Sequence, residues 1–98
     1  MDQSSLRAQF PILGVPGRGG RALNYLDTAA TAQKPLAVID AELEFYRSGY
    51  GPVHRGAHLL AEGATEAFEA ARADVAALVG ARPDEMVWTA GATAGLNL

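Results

Sequence analysis

Apolar positions recur at helical spacing in two long stretches of the chain and in short runs elsewhere. Leu36, Ile39, Leu43, Tyr46 and Tyr50 follow Pro35 at steps of three and four residues. The spacing predicts an amphipathic helix to about Ser48, interrupted by Gly49, Gly51 and Pro52. A longer helix is predicted from about Leu59 to Val79. Ala61, Ala64, Phe68, Ala71, Val75 and Leu78 share one face, Glu62, Glu66, Glu69, Arg72 and Asp74 occupy the others, and Gly80 is the stop. Ser4 or Ser5 is expected to cap a short helix through Gln9, ended by Phe10-Pro11. A loop rich in Gly, Pro and Arg follows from Gly14 to Arg21. Leu23-Asn24-Tyr25-Leu26 reads as a short strand ending at Asp27, with small residues turning the chain through Ala32. Pro83-Asp84 lead into a second strand, Met86-Val87-Trp88, read as buried. Helix, strand, helix, long helix, strand and helix start together predict an α/β fold.

The closing stretch Thr89-Ala90-Gly91-Ala92-Thr93-Ala94-Gly95-Leu96-Asn97-Leu98 is a turn of small residues entering a helix. The first backbone N–H groups of a helix have no intrahelical partner, and aligned peptide dipoles leave partial positive charge there. Such a turn after a strand is a natural cradle for a phosphate, with Thr93 adding a hydroxyl donor. The alternative at Thr93 is an ordinary N-cap. The sequence ends within about one turn of this helix, so the chain reads as the front part of a larger protein.

Composition narrows the function classes. The 98 residues are 49% hydrophobic, enough for a modest core, but alanine dominates and the aromatic residues are three Phe, one Trp and three Tyr. Alanine buries little area per residue, so a core built from this chain alone is thin. A net charge of −3 with no basic stripe disfavours nucleic-acid binding. No apolar run reaches membrane-spanning length, and the N-terminus lacks a secretory signal pattern, so a cytoplasmic setting is expected. With no cysteine, disulfides and thiolate zinc sites are excluded for this chain. Glu62, Glu66 and Glu69 form no convincing metal constellation and read as a solvated helix face.

Four segments carry a family resemblance. They are Tyr25-Leu26-Asp27-Thr28-Ala29-Ala30-Thr31-Ala32-Gln33-Lys34-Pro35, Tyr50-Gly51-Pro52-Val53-His54-Arg55-Gly56-Ala57-His58, Ala64-Thr65-Glu66-Ala67-Phe68-Glu69-Ala70-Ala71-Arg72, and Gly91 to Leu98. In this order and spacing they resemble the N-terminal part of the group II, SUF-type cysteine desulfurases of the class V aminotransferase family. Gln33-Lys34-Pro35 and Val53-His54-Arg55-Gly56 with His58 point to the group II branch. The resemblance implies a pyridoxal 5′-phosphate enzyme of fold type I, a three-layer α/β/α architecture of which residues 1–98 are the N-terminal segment, cut at the start of the phosphate-binding helix. It implies L-cysteine as substrate, alanine as product, and a persulfide passed to a sulfur-acceptor protein for iron–sulfur cluster assembly, in a homodimer. A selenocysteine lyase, another class V enzyme or a non-catalytic remnant pairing with a full-length subunit are the alternatives.

The same resemblance assigns residues. Thr93 and the N–H of Ala92 match the family's cofactor-phosphate contacts. His54 and Arg55 match a histidine and arginine facing the active site near the dimer interface, where Arg55 pairs with a substrate carboxylate or a partner acid. An arginine after a Gly/Pro turn is otherwise a solvated surface charge. Ala29 and Ala30 match the substrate-side turn, where small side chains let the amino acid approach; tight backbone packing is the other reading. Asp27 is expected to cap that turn through its carboxylate, and His58 to serve packing or capping. Ala94 stands where the family carries a glutamate. The only lysine, Lys34, belongs to the turn before the second helix, and the Schiff-base lysine and persulfide cysteine are not among these residues.

Overall fold

Alanine-rich sequence without proline carries the longest element, α3, Leu59–Val79, whose ends fall where the sequence places them. His58 is its N-cap, with Nδ1 accepting from the Ala61 N–H at 3.4 Å, and Glu62 in the first turn complements the helix dipole. At the other end Gly80 takes the left-handed conformation, φ 72°, and the Ala81 N–H reaches back to the Ala76 carbonyl at 2.8 Å. Only glycine adopts that geometry without a Cβ penalty.

A computed structural model describes residues 2–98. The chain divides into two compact units, Met1–Ser48 and Gly49–Leu98. In the first, α1, Gln3–Ala8, is capped by Asp2, whose carboxylate accepts from the Ser5 N–H at 2.9 Å. The cap is therefore Asp2 and not Ser4 or Ser5, since a carboxylate accepts more strongly than a hydroxyl at a helix N-terminus. Backbone N–H groups of Ser5 and Ser4 hold the Asp2 carboxyl below its ordinary pKa. The Arg7 guanidinium, half-buried, donates to the carbonyls of Leu13 and Leu23 at 2.8 and 2.7 Å and ties the following loop together. Helix α2, Leu36–Glu44, starts one residue later than expected, with Pro35 as N-cap. It runs into a wider π-type turn, Phe45–Gly49, so helical structure ends close to the predicted Ser48.

The predicted strands do not form a sheet. Among the described residues the only strand-like pairing is an isolated antiparallel bridge between Pro16 and Ala22, and the fold is helical where an α/β arrangement was expected. A strand exists only when a neighbour accepts and donates its backbone hydrogen bonds. The residues at 23–26 and 86–88 have no such neighbour. Leu26 is 94% exposed and Val87 61%, so the expected burial of the second strand is not realised either.

Burial follows the same logic. Among the described residues Ala61, Ala64 and Ala76, all on α3, are the buried core, and no large side chain is fully buried. The predicted α3 face is correct at Ala61 and Ala64 but Leu78 points outward at 85% exposure, with Ala76 inside instead. The α2 face is laid out at the expected spacing yet Leu36, Ile39, Leu43, Tyr46 and Tyr50 are all exposed. No helix among the described residues is long and apolar enough to cross a membrane. The final helix, α4, Ala92–Leu96, begins after Gly91.

Candidate functional site

The loop before α3 is built against that helix. Gly51 lies so close to α3 that an added Cβ would stand 2.6 Å from the Leu60 carbonyl oxygen, which only glycine permits. Beyond it, His54 has left-handed backbone geometry, φ 55°, uncommon for a residue with a side chain. Contacts on both sides of His54 hold it there. Its N–H donates to Thr65 Oγ1 at 3.0 Å, and the Thr65 hydroxyl in turn donates to the Ala61 carbonyl at 2.7 Å. Its Nε2 lies 2.9 Å from Glu69 Oε1, and its ring stands edge-on to Phe68 at 5.7 Å.

Glu69 has a second partner. Its Oε2 lies 3.2 Å from Arg72 Nε, an ion pair whose angle falls short of an aligned hydrogen bond. The Arg72 guanidinium covers the Phe68 ring at 5.2 Å and donates to the Met86 carbonyl at 3.2 Å. Phe68 also meets Trp88 edge-to-face at 6.2 Å. Thr65, Phe68, Glu69 and Arg72 thus form one stripe of α3 at helical spacing, gripping the His54 loop and the segment leading to the last turn. Glu69, read as a solvated face residue, keeps 44% of its side chain exposed and also belongs to this network. Periodicity shows which residues share a face and not what another segment brings to it. Arg55, next to His54, is exposed, and among the described residues no side-chain bond holds it. His58 takes the capping role.

The closing turn is held only locally. Gly91 is the N-cap of α4 and no side chain caps the helix; Thr93 therefore lies inside the first turn and its hydroxyl is not used as a cap. Thr89 Oγ1 donates to the Gly91 carbonyl at 3.1 Å, and the Asn97 side-chain amide to the Thr93 carbonyl at 2.7 Å. The turn opens on a hollow of ≈ 450 Å³ lined by Ala90, Gly91, Ala92, Thr93, Ala94 and Asn97. First-turn N–H groups and an uncommitted hydroxyl suit the oxygens of a phosphate. The residues therefore fit a phosphate-bearing cofactor. No hydrogen bond or ion pair joins this turn to the His54 loop among the described residues.

Ala29 and Ala30 lie in the other unit. Their turn is closed by the Asp27 carbonyl, which accepts from the N–H groups of Ala30 and Thr31 at 3.1 and 3.2 Å. The Asp27 carboxylate takes no part, contrary to expectation, because backbone N–H groups close the turn; the Tyr25 hydroxyl lies 3.0 and 2.6 Å from the carbonyl oxygens of Asp27 and Thr31 and donates its one hydrogen to the nearer, that of Thr31. Both alanines are exposed. Lys34 Nζ donates to the Ala32 carbonyl at 2.7 Å in the turn before α2. Thr65 and Tyr25 have no role in the sequence reading, whereas Glu69 and Arg72, three residues apart on α3, form the local pair their spacing allows. Helical spacing puts Thr65, Glu69 and Arg72 on one side of α3, a signal that does not show which loop packs there.

Comparison with known proteins shows the family. The family model for aminotransferase class-V matches residues 24–98, and the chain belongs to that family. It is 54% identical over 98 residues to a probable cysteine desulfurase 2 of Mycobacterium leprae. It is 51% identical over 94 residues to a cysteine desulfurase of Cronobacter sakazakii and 50% identical over 94 residues to one of Escherichia coli. These matches cover 100%, 95% and 95% of the chain, whereas the chain spans 23% of the length of each relative.

Proposed function

We propose that this chain is the N-terminal, cofactor-phosphate and substrate-side part of a pyridoxal 5′-phosphate-dependent, group II cysteine desulfurase. The reaction is conversion of L-cysteine to L-alanine, with the sulfur left as an enzyme persulfide for iron–sulfur cluster assembly in the cytoplasm. The observation that carries this reading is 50–54% identity, across nearly all of the chain, to relatives named cysteine desulfurase. The bound cofactor supplies the electron sink for chemistry at the amino acid. Within this chain, Thr93 Oγ1 and the N–H groups of Ala92 and Thr93 donate to the phosphate oxygens. Ala29 and Ala30 leave room beside the amino acid, Arg55 pairs with its carboxylate, and His54 orients a neighbour or moves a proton.

The persulfide thiolate and the lysine that anchors the cofactor come from outside residues 1–98, because the chain has no cysteine and Lys34 is engaged in a turn. The segments at 23–26 and 86–88 become strands of a three-layer α/β/α sheet beside further strands of the family domain, and the uncovered faces of α2 and α3 pack against the same domain and a second subunit. This accounts for the 18 exposed large apolar residues and three buried alanines among the described residues. The test is the coding sequence past Leu98. An open frame reaching a lysine and a cysteine loop is expected. A stop at Leu98 overturns the catalytic reading and leaves a remnant that pairs with a full-length subunit.

A further inference from the structure

The Glu69 carboxylate, as an acceptor only, sets the proton on His54. Its Oε1 sits 2.9 Å from His54 Nε2, so in the neutral imidazole that nitrogen carries the hydrogen and Nδ1 is left as the lone-pair atom. Glu69 Oε2 is held by Arg72 at 3.2 Å, which keeps the carboxylate from rotating away. The ring is further fixed by Phe68 at 5.7 Å and the backbone by the Thr65 hydroxyl at 3.0 Å. We propose that Glu69 is a positioning residue that locks His54 as the Nε2–H tautomer, making Nδ1 the atom that accepts a hydrogen bond or proton from whatever the loop binds. A carboxylate that orients an imidazole through one ring nitrogen defines the chemistry of the other. The functional meaning rests on the substrate-side reading of His54, whereas the tautomer follows from the contact alone.

The test is long-range ¹H–¹⁵N spectroscopy of histidine-labelled protein, encoded as in its gene, at a pH where the imidazole is neutral. His58→Asn, which preserves an N-cap, assigns the signals. The expected result is a pyrrole-like Nε2 and a pyridine-like Nδ1 at His54, with an Nε2 proton that exchanges on the order of fivefold faster in Glu69→Ala, the scale of an exposed charge-assisted hydrogen bond. Glu69→Gln, which keeps an acceptor oxygen, restores part of that protection, so a general loosening of the loop is distinguished from loss of the acceptor. Unchanged amide signals for Leu59–Val79 show that the helix survives either substitution. A pyridine-like Nε2 in the unsubstituted protein, or exchange unaffected by both substitutions, overturns the proposal. The expected histidine pattern in a protein that fails to bind pyridoxal 5′-phosphate would sink the functional reading and leave the tautomer assignment standing.

Discussion

The His54 loop and the Thr93 turn are both short, glycine-containing entries to a helix, and they are held in opposite ways. The loop is clamped by side chains distant in sequence: Thr65 on its backbone, Glu69 and Phe68 on the imidazole, and α3 backbone against Gly51. The turn has only neighbours within a few residues, Thr89 and Asn97. Left-handed geometry at His54 costs about 1–3 kcal/mol and persists only when its surroundings over-determine it. The Thr93 turn carries no such constraint, and no side chain caps its first-turn N–H groups. One element is preorganised by its own chain; the other, in the function proposed above, is completed by a bound phosphate.

Substitutions that unclamp the loop break this contrast most directly. Phe68→Ala removes the ring shared by His54, Arg72 and Trp88, and should cost about 2–3 kcal/mol, below the fully buried value because Phe68 is half-buried. Trp88 is the single tryptophan, so its fluorescence should shift toward that of solvated indole in step with faster exchange of the His54 N–H. Gly51→Ala should cost about 2 kcal/mol through overpacking, since its Cβ meets backbone and not a flexible side chain. Hydrogen exchange at His54 and at the first turn of α3 reads this; unaltered protection there would show that the close approach is not needed. Thr65→Val, nearly isosteric, should cost about 1 kcal/mol and free the His54 N–H alone, leaving Trp88 emission unaltered.

How much of this was legible in the sequence differs along the chain. The bounds of α3 were, because proline-free apolar periodicity ends at His58 and at Gly80, where capping chemistry is local. Motifs single out His54, Arg55 and Thr93; of these the structure ties His54 to α3 and leaves Arg55 exposed. The sheet was not realised, because the pattern at Leu23–Leu26 and Met86–Trp88 encodes a face and an extended preference while pairing depends on other strands. The loop partner of Glu69 was missed for a related reason. Its partner His54 is 15 residues away, beyond the reach of helical spacing. Asp2 was missed as a cap in favour of the serines that follow it, although all are good cap residues.

The smallest expected effect lies outside both elements and provides a control. The Ser5 and Ser4 N–H groups depress the folded-state pKa of Asp2 below its unfolded value. The stabilisation of α1 is therefore present above the ordinary aspartate pKa and lost as pH falls through the depressed folded value. Acid titration of the amide signals of Gln3–Ala8 should show loss of the cap only at that low pH, and Asp2→Asn should remove the pH dependence while keeping the helix. The His54 loop and the Thr93 turn should not follow this titration.

Binding of pyridoxal 5′-phosphate to the gene-encoded protein, unsubstituted and as Thr93→Val, tests the central claim most directly. The ³¹P signal of the cofactor's phosphate and backbone amide shifts at Ala92 and Thr93 are read together. The account predicts that Thr93→Val leaves stability without cofactor within about 0.5 kcal/mol. It also predicts affinity weakened about tenfold, the loss of one hydrogen bond to a charged group, with shifts centred on Ala92 and Thr93. Equal affinity in the two proteins, with no shift at those amides, would contradict it.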